Sequence, residues 1–253
     1  MNVKKAKSSI DICQKDFLSL NPKTDYIINA KFVKDCLGKI GFCYYTKFDT
    51  FKLILNSKRV WVRNVPCMND KREFLDKNLV KDKFHLLCFC NSDDEIIPMW
   101  YMYAGTSGDG VRIRFTPGAL RSLLKEIKVY RPDGSLLENY EISCGWIYYK
   151  YDESYYEHRN KKYSIDDWDE SFNTNNLFIK SKHWNYEKEF RIVIENKEDT
   201  VYKHLEIDLS DIIDKLQFMK GPEFDVDSLS NDDKNLINKI SLKSSELDIK
   251  MGL

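Results

Sequence analysis

Apolar runs of strand length follow one another along this chain without a helix between each pair, and that order constrains the fold more than any other feature. FCYYT (42–46) leads into the helical run TFKLILNSK, and RVWVRNV follows at once, so strand, helix and strand take about 25 residues. KFHLLCFC (83–90) and GDGVRIRF (108–115) are separated only by the short segment PMWYMYA, and EKEFRIVIE is followed directly by KHLEIDL. Parallel strands need a crossover, usually a helix, between successive members. The order therefore predicts an α+β protein, with a mixed, mostly antiparallel sheet and flanking helices. No G-x-G-x-x-G follows a strand and no G-x-x-x-x-G-K-[ST] occurs, which argues against a dinucleotide-binding doubly wound fold and a P-loop NTPase. G-x-S-x-G and H-E-x-x-H are also absent.

Local signals place the elements. INAKFVKDCLGKI (28–40) has helical spacing, with Gly41 as its stop. Asp49 is the expected N-cap of a helix whose inner face carries Phe51, Ile54 and Leu55. A charged helix is expected after PCMND, and another short one from Pro98. Thr116-Pro117 reads as a cap with proline in the first turn. RPDG (131–134) has turn chemistry, and ISCGWIYYKY reads as a strand. The stretch 152–175 is expected to be a loop and then a helix reaching Lys180. EKEFRIVIE is expected to pair with KHLEIDL through a turn at 196–200. A helix near 230–240 and a last strand at SELDIK close the chain. No repeat, low-complexity tract or linker divides it, so residues 1–253 are read as one domain, with 1–24 a loosely ordered arm.

Composition narrows the class. Aromatics make up 13%, including 15 Tyr and 5 Trp, far more than a disordered chain carries. Lys plus Arg equals Asp plus Glu at 40 each, so nothing predicts a strong pull toward nucleic-acid backbones. The basic runs VKKAK and HRNKK read as solvated surface. Seven cysteines form no framework spacing, and no apolar run suits a signal peptide or a membrane span. The expected setting is the cytoplasm. Cys88-Phe89-Cys90, with no second paired element, reads as strand thiols, and no metal is expected.

The segment KSKHWNYEKEFRIVIE is the most unusual. On a strand, Glu187, Glu189 and Arg191 would share one face, beside His183 and Trp184. One reading is an ion-pair ladder in which Arg191 satisfies both acids. In the other, Arg191 holds one carboxylate while the second faces a groove, orients a ribose hydroxyl and stabilises a forming sugar cation. Tyr44, Tyr45, Trp100, Tyr101 and Tyr103 could stack on nicotinamide or a base, or serve as core; Tyr45 and Tyr103 rank above Trp61 as site candidates. Asn69-Asp70 is either a turn or a polar lip on a cleft. Lys182 and His183 are either phosphate contacts or exposed surface.

Taken in order, YYTKFDTFKLILNSKRVWV, MND, LLCFCNS, MWYMYA, GVRIRF, KSKHWNYEKEFRIV and the Leu-Gln-Phe-Met-Lys-Gly strand resemble the bacterial domain-of-unknown-function family 2971, over about residues 42–250. More loosely, the layout is similar to the ADP-ribosyltransferase fold, whose later strand offers a Glu-x-Glu motif like Glu187-Lys188-Glu189. The resemblance implies cleavage of the nicotinamide–ribose bond of NAD and transfer of ADP-ribose to an unknown macromolecular acceptor. Glu189 would then be catalytic and Glu187 would help the acceptor. Tyr45, Thr46, Asn69, Trp100, Tyr103, Lys182 and Arg191 would contact NAD. The setting implied is a toxin or anti-phage effector with a neutralising partner. A nucleic-acid enzyme or binder that stacks bases, and a non-catalytic defence adaptor, are the alternatives.

Overall fold

A computed structural model describes residues 37–68, 81–105, 108–150, 175–240 and 242–247. The fold is mixed α+β, and the strands pair mostly antiparallel. The chain forms two compact units, each assembled from separated segments. The first takes Trp61–Cys88 and Leu124–Ile207; the second takes Lys39–Val60, Phe89–Leu123 and Asp208–Leu253.

In the second unit, strand β1 (Phe42–Lys47) enters helix α1 (Phe48–Ser57) directly. Lys47, without a side-chain bond, occupies the N-cap position expected of Asp49, which instead lies in the first turn. Phe48, Phe51 and Ile54 are buried along the inner face, and Leu55 is half-buried. Strand β2 (Arg59–Asn64) and strand β3 (Phe84–Cys90) follow, and each runs from one unit's residues into the other's. The short helix α2 (Ile97–Met99) widens into a π-turn over Trp100–Ala104. Strand β4 (Gly110–Phe115) pairs antiparallel with β1, with Tyr45 opposite Arg112 and Cys43 opposite Arg114. Helix α3 (Pro117–Lys125) is capped as expected, with the Ala119 N–H donating to Thr116 Oγ1 at 3.1 Å.

The first unit holds strand β5 (Val129–Tyr130), strand β6 (Tyr140–Trp146) and strand β7 (Tyr148–Lys150), then strand β8 (Ile179–Ser181), strand β9 (Glu189–Asn196) and strand β10 (His204–Asp208). β9 lies between β6 and β3, and its residues are buried on both faces up to Ile194. Val65, Phe84, Leu86, Ile147, Leu177, Phe178 and Val193 make a core cluster in this unit. The RPDG turn forms, with the Gly134 N–H donating to Arg131 O. Strand β11 (Gln217–Lys220) completes the second unit's sheet beside β4, and helix α4 (Asn231–Ile240) follows.

Several expectations change. β9 and β10 do not form a hairpin, because β10 takes β2 and β5 as neighbours and β9 takes β3 and β6. Lys180 lies on β8 rather than on a helix. No strand forms over 245–247; instead Lys243 makes an isolated bridge to Met219. Residues 37–40 are not helical, while 28–36, the charged helix after PCMND and residues 1–24 lie outside the described residues. No helix among the described residues is long and apolar enough to cross a membrane.

Candidate functional site

The Glu-x-Glu segment straddles a turn and a strand. Residues Lys182–Glu187 form a 3-10 turn, Lys188 adopts a left-handed conformation at φ 44°, and β9 starts at Glu189. Glu187 therefore does not share a strand face with Glu189 and Arg191, which alone keep that relation. The expected alternation fails because the left-handed residue ends one element before the next begins.

The side chains converge nonetheless. Arg191 Nε donates to Glu189 Oε1 at 2.6 Å and Nη2 to Glu189 Oε2 at 3.2 Å, a two-pronged clasp. Its Nη1 donates to Leu177 O. Lys180 Nζ donates to Glu189 Oε2 at 3.1 Å and to Glu187 Oε2. One ammonium thus joins both carboxylates, and the indole of Trp184 lies 4.9 Å from it. All four charged residues are buried: Lys180 is 6% exposed, Glu187 2%, Glu189 4% and Arg191 0%.

Local structure explains the fit. Arg191 lies opposite Gly145 in the β6–β9 register, so the partner strand places no side chain against the guanidinium stem. The Glu189 N–H donates to Tyr149 Oη at 2.7 Å, and Glu189 O accepts the Ile147 N–H at 2.8 Å, fixing the backbone beneath the carboxylate. Burial by itself would raise the Glu189 carboxyl, but the charges of Arg191 and Lys180 outweigh it and hold the group down to about 2. The Cys88 thiol is pushed well up by burial and then by the Glu189 charge, so it stays protonated beside the carboxylate. Tyr149 is likewise raised, chiefly by burial.

Lys182 is half-buried on the turn, and His183 is exposed with Ser181 Oγ 3.0 Å from its Nδ1. Asn69, with Asp70, lies outside the described residues. In the second unit, Tyr45 is 5% exposed and meets Trp100 edge-to-face at 4.8 Å. Trp100 is 1% exposed, and a Cβ built on Gly221 would come within 3.3 Å of its indole, so the ring is packed as core. Thr46 is buried and Tyr103 half-buried. Trp61, ranked lower in the sequence, is half-exposed and stacks on His204 at 4.3 Å.

Two central residues escaped the sequence reading. Lys180 was hidden by the expected helix. Arg112 was not singled out within the alternating run GVRIRF, yet it is only 4% exposed.

Residues 99–192 match the model of a family described as protein of unknown function (DUF2971). The match takes in MWYMYA, GVRIRF and WNYEKEFR, and stops short of the early strand–helix–strand. No curated protein matches, and no solved structure matches.

Proposed function

We propose that the protein is an ADP-ribosyltransferase-like enzyme that cleaves the nicotinamide–ribose bond of NAD, with the ribose-facing role expected of Glu189 passing to Glu187, because Arg191 clasps the Glu189 carboxylate and holds it as a fixed neighbour. The observation that carries this reading is the joining of the two Glu-x-Glu carboxylates by the ammonium of Lys180. Cleavage of a glycosidic bond passes through an oxocarbenium-like state, which an ionised, positioned carboxylate stabilises. Glu189 is clasped by Arg191 and has little capacity left for a ligand. Glu187 lies on a turn, and if it swings toward a sugar, Lys180 keeps Glu189 as a counter-charge. The move therefore leaves no buried cation unpaired, the state that would cost most. The acceptor would be a protein or nucleic acid, in keeping with a toxin or anti-phage effector checked by a neutralising partner.

A second reading has its own support. The four buried charges balance two against two, which is what a purely structural network requires. The chain would then be a non-catalytic sensor or adaptor.

Nicotinamide release from NAD, measured with the full chain and cell extract, separates them. The enzyme reading expects Glu187→Gln to lose on the order of 10²–10³ in rate while its melting temperature stays near wild type. Equal release by wild type and Glu187→Gln overturns it. No release by wild type, together with a lowered melting temperature in both Glu187→Gln and Glu189→Gln, establishes the structural reading.

A further inference from the structure

Arg112 is a buried cation whose neighbours are already committed. The guanidinium has five N–H donors, yet among the described residues the hydrogen bonds it makes run from Nη1 to Asp93 O and Asp94 O, both long at 3.4 Å. Arg112 Nε and the hydroxyl of Tyr45, which lies opposite it in the β1–β4 register, are buried and near enough to influence each other, yet neither atom makes a well-formed hydrogen bond. Tyr45 and Arg112 are 5% and 4% exposed.

Among the described residues, Glu95 acts on Arg112 only through its charge, without a hydrogen bond to it, and the nearby carboxylates are engaged elsewhere. Asp93 Oδ1 is ion-paired to Arg114 at 2.6 Å and accepts the Gly41 N–H at 3.0 Å. Glu95 accepts Trp100 Nε1 at 3.1 Å, Ser245 Oγ at 2.7 Å and the Glu246 N–H at 2.8 Å. Burial pushes the Cys43 thiol up to about 11, so it is a neutral neighbour that donates to Ser92 O. Burial also raises Tyr45, which keeps its hydroxyl a donor at neutral pH. A guanidinium taken out of water with its N–H donors unfilled is disfavoured, even where a carboxylate such as Glu95 acts on it from a distance. The two long bonds end on Asp93 and Asp94, both exposed, so the guanidinium sits directly under a surface loop.

We propose that Arg112 and Tyr45 form a binding site in the second unit for one compact oxyanion, a phosphate or a carboxylate group. The guanidinium supplies charge and paired donors, the geometry that suits such oxygens, and the phenol adds a third donor. The bound group replaces the long contacts to the 93–94 carbonyls as the loop shifts. The site does not depend on the NAD reading and stands or falls separately.

Thermal unfolding of the full chain tests it, with inorganic phosphate, acetate or chloride added at matched ionic strength. Phosphate or acetate is expected to raise the melting temperature above the chloride control, and which of them does so identifies the group. Tyr45→Phe, which removes only the hydroxyl, is expected to weaken the apparent affinity roughly tenfold or more, the effect of a lost bond to a charged group. Arg112→Gln is expected to abolish the shift. Absence of any shift in wild type overturns the proposal. So does an equal shift in Tyr45→Phe, which bears the argument even if Arg112→Gln does not fold.

Discussion

Glu189 is a carboxylate kept charged in a place that would normally neutralise it. The two cations that hold it down make its ionisation a condition of folding in the first unit. Its folded value lies below its ordinary value of 4.5, so the stabilisation is fully present above that value and is lost as pH falls toward 2. Acid unfolding of wild type should therefore steepen below pH 4.5, and Glu189→Gln should flatten that limb when circular dichroism is followed against pH. Arg191→Met should cost about 3–5 kcal/mol by urea unfolding, because one partner of a buried pair is removed. A cost near zero would show that Lys180 alone satisfies the carboxylate. In the sequence, Glu187-Lys188-Glu189-Phe190-Arg191 announced the two acids and the arginine but neither Lys180 nor the arrangement. A left-handed lysine has no composition signal, so the break before Glu189 was unreadable there.

Elements whose limits are set locally were the legible ones. The Thr116-Pro117 pair fixed the start of α3 because a hydroxyl cap and a proline act within one turn. Thr116→Ala should cost about 1 kcal/mol by urea unfolding, and Thr116→Ser should restore most of it. A cost indistinguishable from zero would mean that the Thr116–Ala119 bond is dispensable. The partner choice of β9 was not legible. Its residues are buried on both faces up to Ile194, charged ones included, so no exposed face in its sequence singles out a partner strand. Nearness in sequence suggested β10, whereas tertiary packing selected β3 and β6. The burial of Arg112 was illegible for a related reason: alternation tells which residues share a face but not whether that face meets water.

At the scale of the whole molecule, neither unit is a continuous stretch of chain. The first unit's longest segment, Leu124–Ile207, lacks β3, so one side of β9 would be left unpaired. A fragment of residues 124–207 should show no cooperative thermal transition by circular dichroism. A sharp transition in that fragment would mean that β9 needs only β6.

The placement of β9 beside β3 also sets a schedule for synthesis. A ribosome adds roughly 5–20 residues per second, so β3, with its apolar FHLLCFC, emerges on the order of 5–20 seconds before β9 is made. For that interval the nascent chain carries a sticky, half-paired ribbon that other polypeptides can capture. Production of the protein is thus expected to depend on holdase chaperones and to improve when translation is slowed in the cold less than when those chaperones are abundant.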